Sequence, residues 1–289
     1  MSVDVLQEKI RKLKNPSVID LSLPISQLPP NMAAEGAGGY GRFCVELLAA
    51  LKGSVPAVQV GFAAFALLGA AGMEQLSAVL TAAREEGYYV LLDAPEILSP
   101  QTAGMVADAV FGADSQFPCD GLVVSAYPGS DCLKPFLPYC RDGKKDIFAV
   151  VRTANKSAPE IQDLLTGTRL VHAAAADMVN RYGGDTAGKF GYSRVGILAG
   201  ASSAESLRTL RAKYPRLFLL LDGADYPNAN AKICACAFDK FGHGAAACIG
   251  TSVTCAWKQA ESDGTDFAVH AAAAAERMKK NLTRYTTVL

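Results

Sequence analysis

Short apolar runs rich in β-branched residues recur along the whole chain, at residues 17–21, 57–60, 88–92, 121–125, 147–151, 194–199, 217–221 and 245–250. Between them lie segments with the 3.6-residue apolar period of helices, at 41–51, 73–86, 101–111, 131–139, 158–181, 204–214, 229–241 and 265–282. Two of these carry a helix-start signal, Ser157 with Glu160 and Ser202 with Glu205. A strand that is apolar on both faces needs cover on both, which amphipathic helices alternating with strands supply only around a parallel sheet. Eight such units close a (β/α)₈ barrel, and 289 residues suit one barrel as a single domain over 1–289. An amphipathic helix at about 3–14 precedes the first unit, and the last helix covers about 265–282. A doubly wound open sheet is the alternative. The absence of Gly-x-Gly-x-x-Gly after the first strand speaks against its dinucleotide-binding form.

Composition narrows the function. Lys+Arg and Asp+Glu are equal at 28, so no charge excess favours nucleic acid or an anionic membrane surface as partner. The first residues lack the apolar centre of a signal peptide, and Gln59 and Gly61 break the longest apolar candidate, 55–73; a cytoplasmic protein is expected. Eight cysteines without a Cys-x-x-Cys pair read as buried, reduced thiols. His172, His243 and His270 are scattered, which argues against a zinc site or a histidine-based triad. No cofactor and no metal is expected.

The working residues of such a barrel sit at the carboxyl ends of its strands and in the loops that follow. Here those positions hold Asp20, Ser22, Gln59, Asp93, Glu96, Ser125, Tyr127, Arg152, Asn155, Asp222, Asp225, Thr251 and Ser252. Asp20, Asp93, Glu96, Asp222 and Asp225 could gather into a carboxylate ring for Mg²⁺ or a cationic ligand, but we read them as ordinary loop acids. Lys134 and Arg152 are the cations that could aim into the mouth; Lys134 reads as a solvated position. Two Pro/Gly-rich segments exceed the minimal repeat. The first, 24–39, follows a strand's carboxyl end and is a candidate lid, and the second, 183–191, reads as a surface connection.

Several motifs carry a more specific signal. These are the strand and turn from Tyr88 to Leu98 with Asp93, the run Tyr127-Pro-Gly-Ser-Asp131 with Pro135 and Phe136, the run Arg152-Thr-Ala-Asn155 with Gln162, and Gly200-Ala-Ser with Arg208 and Pro215. Together they make the chain, from about residue 15 to 260, resemble the orotidine 5'-monophosphate decarboxylases of the bacterial type 2 group. The resemblance implies a barrel, usually dimeric, that converts orotidine monophosphate to uridine monophosphate and CO₂ in pyrimidine biosynthesis with no cofactor. It also implies an interleaved lysine and aspartate array, one aspartate coming from across the dimer interface. The family's third strand reads Asp-Ala-Lys-Arg-Gly-Asp; here Asp93 is retained, Pro95 stands at the lysine and Leu98 at the second aspartate. Gln59 stands at the second-strand lysine, and the substrate-binding aspartate of the first strand corresponds most closely to Ser22, with Asp20 nearby. The Pro-Gly-x-Gly phosphate loop has become Asp222-Gly-Ala-Asp225, and the phosphate-holding Ser-Arg pair is Ser252-Val253. Tyr127, Arg152 and Asn155 complete the candidate substrate-binding set.

A developing carbanion needs a preorganised cation, and a neutral side chain does not replace it. The expected function is therefore that of a decarboxylase-like homodimer that is inactive as a decarboxylase, a pseudoenzyme or a barrel turned to another small molecule at its mouth. An active decarboxylase with a rearranged site and a non-catalytic structural or regulatory dimer are the alternatives.

Overall fold

The computed structural model describes residues 2–93 and 97–289. Its eight barrel strands are β1 (Ser17–Asp20), β2 (Ala57–Gly61), β3 (Tyr89–Asp93), β4 (Gly121–Ser125), β5 (Asp146–Arg152), β6 (Ser193–Gly200), β7 (Leu217–Asp222) and β8 (Ala245–Ile249). Each pairs in parallel with its sequence neighbours, and β1 pairs with β8 through Val18 and Cys248 to close the cylinder. The fold is the (β/α)₈ barrel read from the sequence.

Successive strand residues face opposite ways, so each strand divides its side chains between two cores. Val18, Ala57, Leu91, Val123, Phe148, Leu198, Leu220 and Cys248 pack together inside the cylinder. Their neighbours Ile19, Val58, Val90, Leu122, Ala149, Ile197, Leu221 and Ile249 face out into the larger core beneath the helices. Continuing the inward parity to the carboxyl ends puts Asp20, Gln59, Asp93, Ser125, Gly200, Asp222 and Gly250 at the rim. The other end is closed by the helix Val3–Leu13, whose Val3, Leu6 and Ile10 join the interior cluster. Asp4 pins it through an ion pair to Arg194 at 3.1 Å and by accepting from the Phe190 amide at 3.2 Å.

Several expected helices take another form. The helix expected at 158–181 starts only at Val171 and ends at Tyr182; before it lies a two-stranded hairpin, Leu165–Thr166 with Arg169–Leu170. Gly167, at φ +64, supplies the left-handed turn between those strands. Ser157 caps nothing: its hydroxyl accepts from Asn155 Nδ2. After β4, Pro135 and Pro138 break the expected 131–139 helix into two 3₁₀ turns and the short helix Leu137–Arg141. The expected 229–241 helix is the single turn Ala231–Cys234 followed by a 3₁₀ turn, capped by Asn230 Oδ1 accepting from Ile233 N. The cap of the helix Ala204–Lys213 is Ser203, one residue beyond the expected Ser202.

The 24–39 segment is a chain of helical turns, Ile25–Gln27, Pro30–Ala33 and the start of the helix Ala37–Leu51, rather than a free loop. Leu28 and Met32 anchor it in the core. At Gly39 a Cβ would lie 1.9 Å from the Met32 carbonyl oxygen, so only glycine admits this close approach. Among the described residues no helix is long and apolar enough to cross a membrane.

Candidate active site

On the β1, β7 and β8 side of the rim lies a cavity of about 90 Å³ lined by Asp20, Ser22, Asp222, Asp225, Tyr226 and Cys248 with the backbone of Gly250. That is far below the roughly 300–1,000 Å³ of pockets that enclose drug-sized ligands. Asp20 ends β1, where its Oδ1 accepts from the Ser22 amide at 2.8 Å and its Oδ2 from Gln59 Nε2 at 3.4 Å. Gln59 is buried, and its Oε1 accepts from the thiol of Cys248 beneath it. Asp93 ends β3 and Asp222 ends β7.

Loss of hydration pushes the Asp20 carboxyl up to about 7, with Asp93 and Asp222 adding repulsion, while its bonds to Ser22 pull the other way. Asp93 is pushed up to about 6 by burial and by Asp222. Asp222 is raised for the same first reason, opposed by the amides of Ala154 and Gly223. Among the described residues no cation lines this cavity.

Asp225 is placed differently from the other three. Its Oδ2 accepts from the amides of Gly250 at 3.1 Å and Ser252 at 3.0 Å, at the start of the short helix Thr251–Thr254. Converging backbone amides of this kind bind anions. In this chain the anion is the protein's own carboxylate.

The two cations proposed for the mouth are both committed to carboxylates. Buried Arg152 at the end of β5 gives Nε and Nη2 to Asp163 at 3.0 and 2.9 Å, and His172 Nδ1 lies 3.0 Å from the same carboxylate. Arg152 and His172 hold Asp163 below the usual carboxylate range. Lys134 pairs with Asp131 on the exposed surface at 2.7 Å. Tyr127, half exposed, donates its hydroxyl to the Val151 carbonyl, and Asn155 is exposed, tied to Thr153 and Ser157. Neither is among the residues around the cavity. Leu98 is 73% exposed and points away from the chain's own core. Pro95 and Glu96 lie outside the described residues. Among the described residues no group of three or more metal-ligating side chains is placed to hold an ion.

No family model matches the chain. Among curated proteins it is 33% identical over 213 residues to an orotidine 5'-phosphate decarboxylase of Rhodopirellula baltica, covering 72% of this chain and 70% of that one. The chain belongs to the orotidine 5'-phosphate decarboxylase family. With a second decarboxylase so named, from Clostridium novyi, the alignment runs over 286 residues at 25% identity and covers 98% of both chains. The fold agrees: a putative orotidine-monophosphate decarboxylase from Toxoplasma gondii superposes with a TM-score of 0.82 over 98% of this chain and 97% of that one, at 23% identity.

Within that family frame, sequence reasoning placed Asp20, Ser22, Gln59, Asp93, Asp222, Asp225 and Ser252 at one end of the barrel, where the structure has them. It missed Asp163, the residue that neutralises Arg152, because the segment around it read as helix interior. It also missed Cys248 and Tyr226 as cavity walls, although the β8 parity, Ala246-Cys248-Gly250, points Cys248 inward.

Proposed function

We propose that this barrel descends from the type 2 decarboxylases and no longer catalyses their reaction, its mouth being turned to a small uncharged or cationic molecule. The reading rests on one observation: among the described residues the mouth presents Asp20, Asp93, Asp222 and Asp225 and no ammonium. A carbanion forming at a pyrimidine carbon would meet repulsion where the reaction needs a cation, and electrostatic preorganisation of that kind is typically the largest catalytic term. Gln59, a neutral amide, occupies the place of one lysine and holds Asp20 instead. The amides that could receive a phosphate already carry Asp225. A nucleotide would have to displace that carboxylate and then sit near Asp222, at an effective dielectric of 20 a repulsion of roughly 2–4 kcal/mol for each charge at 4–8 Å. The small cavity supports the same conclusion.

Assembly as a homodimer is part of this proposal. Leu67, Leu98, Met105, Ile161 and Leu165 are exposed large apolar residues in the segments that follow β2, β3 and β5, joined by half-exposed Tyr127 after β4. Those are four consecutive staves, and a solvated apolar rim of that extent suits a protein partner. Sedimentation of the wild type as a dimer and of Leu67→Glu as a monomer would bear this out; a wild-type monomer refutes it.

The decisive assay supplies orotidine 5'-monophosphate and follows CO₂ release. No release above the uncatalysed rate is expected, and Gln59→Lys, Pro95→Lys and Leu98→Asp combined are expected to restore none, because the phosphate anchor is also absent. Sustained turnover by the wild type would overturn the reading and establish an active decarboxylase with a rearranged site.

A further inference from the structure

A second cavity is larger than the one at the mouth. It has a volume of about 590 Å³ and lies on the outer side of the 224–232 loop, between that loop and the helix Phe267–Thr283. This falls within the range of pockets that enclose small organic molecules. Its chemistry is the opposite of the neighbouring mouth. Lys232 and Arg284 face it, and among the described residues neither makes an ion pair. Asn281 adds an uncommitted amide. Among the described residues Asp225 is its one acid, and that carboxylate is already held by the amides of Gly250 and Ser252.

Two further features favour a ligand over plain solvent. Tyr226 and Tyr285 line it, 47% and 51% exposed, offering flat faces beside an apolar wall of Ile249, Met278 and Leu282. At its inner edge the Ser252 hydroxyl is buried without any hydrogen-bond partner, a cost that a ligand oxygen would relieve. Two cations, an amide, an unsatisfied hydroxyl and two rings around an apolar wall suit a molecule with an anionic head on a flat apolar body.

We propose that this cavity, which shares Asp225 and Tyr226 with the mouth, binds a small aromatic anion, a carboxylate or a phosphate monoester. The test titrates the full chain with phenyl phosphate, benzoate and inorganic phosphate by calorimetry. Saturable binding of phenyl phosphate or benzoate is expected, the stronger of the two identifying the head group, with inorganic phosphate weaker by tenfold or more. Lys232→Met and Arg284→Met should each weaken the aromatic anion about tenfold, the worth of one charge-assisted contact. Both side chains are exposed, so the variants should unfold at the wild-type temperature. Tyr285→Ser, which keeps both cations, should narrow the gap between phenyl phosphate and inorganic phosphate. No saturable binding of either aromatic anion overturns the proposal, as does equal affinity for inorganic phosphate, or wild-type affinity in the Lys232→Met/Arg284→Met double variant.

Discussion

The two ends of the barrel bury carboxylates in opposite company. At the floor, Asp4 meets Arg194 and the Phe190 amide, Asp146 receives the Tyr89 hydroxyl, and Asp120 receives the Val90 amide. At the mouth, Asp20 and Asp222 have amide donors, Asp93 is raised by burial and by Asp222, and among the described residues no cation pairs with any of the three. Asp146 and Asp20 are both raised to about 7, with loss of hydration the largest cause at each. The difference lies in what answers it. Arg194 pulls Asp146 down as well as pairing with Asp4, whereas the mouth's acids push one another up. The floor's acids have Arg194 within reach, and the rim's acids are left to protonation, solvent or a ligand at the end where a barrel of this fold places its function.

The largest effect should come from breaking the floor. Arg194→Met strips Asp4 of its ion-pair partner while Asp4 stays about nine-tenths buried, and removal of one member of such a pair costs about 3 kcal/mol or more. Urea unfolding would read it as a lower midpoint at unchanged slope. Asp222→Asn at the mouth, which removes a charge without a counter-ion, should be neutral or stabilising in the same experiment. Equal losses from the two would erase the distinction between floor and rim.

A smaller effect follows from pH. A carboxyl whose folded value is raised to about 7 from 3.8 keeps its proton over a range where the unfolded chain has released it. The folded state then binds more protons, so stability is greatest below that window and falls as pH rises through it. Asp20 and Asp93 both contribute this sign. Asp20→Asn, which keeps an oxygen for the Ser22 amide, should raise stability at pH 8 by on the order of 1–2 kcal/mol, allowing for the solvent that reaches the mouth, and change nothing near pH 4. Thermal melts across pH would show the mutant's slope flattened. The part due to Asp146 at the floor should persist in both proteins, and an unchanged slope would mean that Asp20 is ionised throughout.

The barrel was legible because its signal is repeated: eight apolar runs, each divided by strand parity between an inner and an outer core, survive an error of a residue at any boundary. The rim acids were legible for the same reason, since a strand's end names the residue that follows its inward parity. What failed was local. Ser157 reads as a cap until Asn155 takes its hydroxyl, and 158–181 reads as one helix until Gly167 turns the chain. That misreading hid Asp163 and left Arg152 as a candidate cation for the mouth. Asp225 reads in sequence as a charge opposed to phosphate. Only the fold brings it back across 25 residues of chain to the amides of Gly250 and Ser252.

That contact yields the finest test. Asp225→Ala removes a side chain that caps the turn at Thr251, and loss of such a cap costs about 1 kcal/mol, less than the floor pair. The same change empties the amide nest and deletes one negative charge beside it. If Asp225 stands in for a phosphate, the variant should bind inorganic phosphate at least about tenfold more tightly than the wild type, and the added phosphate should return part of the lost stability by mass action. A combined Asp222→Asn/Asp225→Ala protein should bind it more tightly still, because the second acid at the end of β7 is also neutralised. Calorimetry and melting with and without phosphate read both quantities. A variant that loses the stability without gaining the anion would show the Asp225 contact to be an ordinary helix cap, and the difference between rim and floor would then rest on Asp20, Asp93 and Asp222 alone.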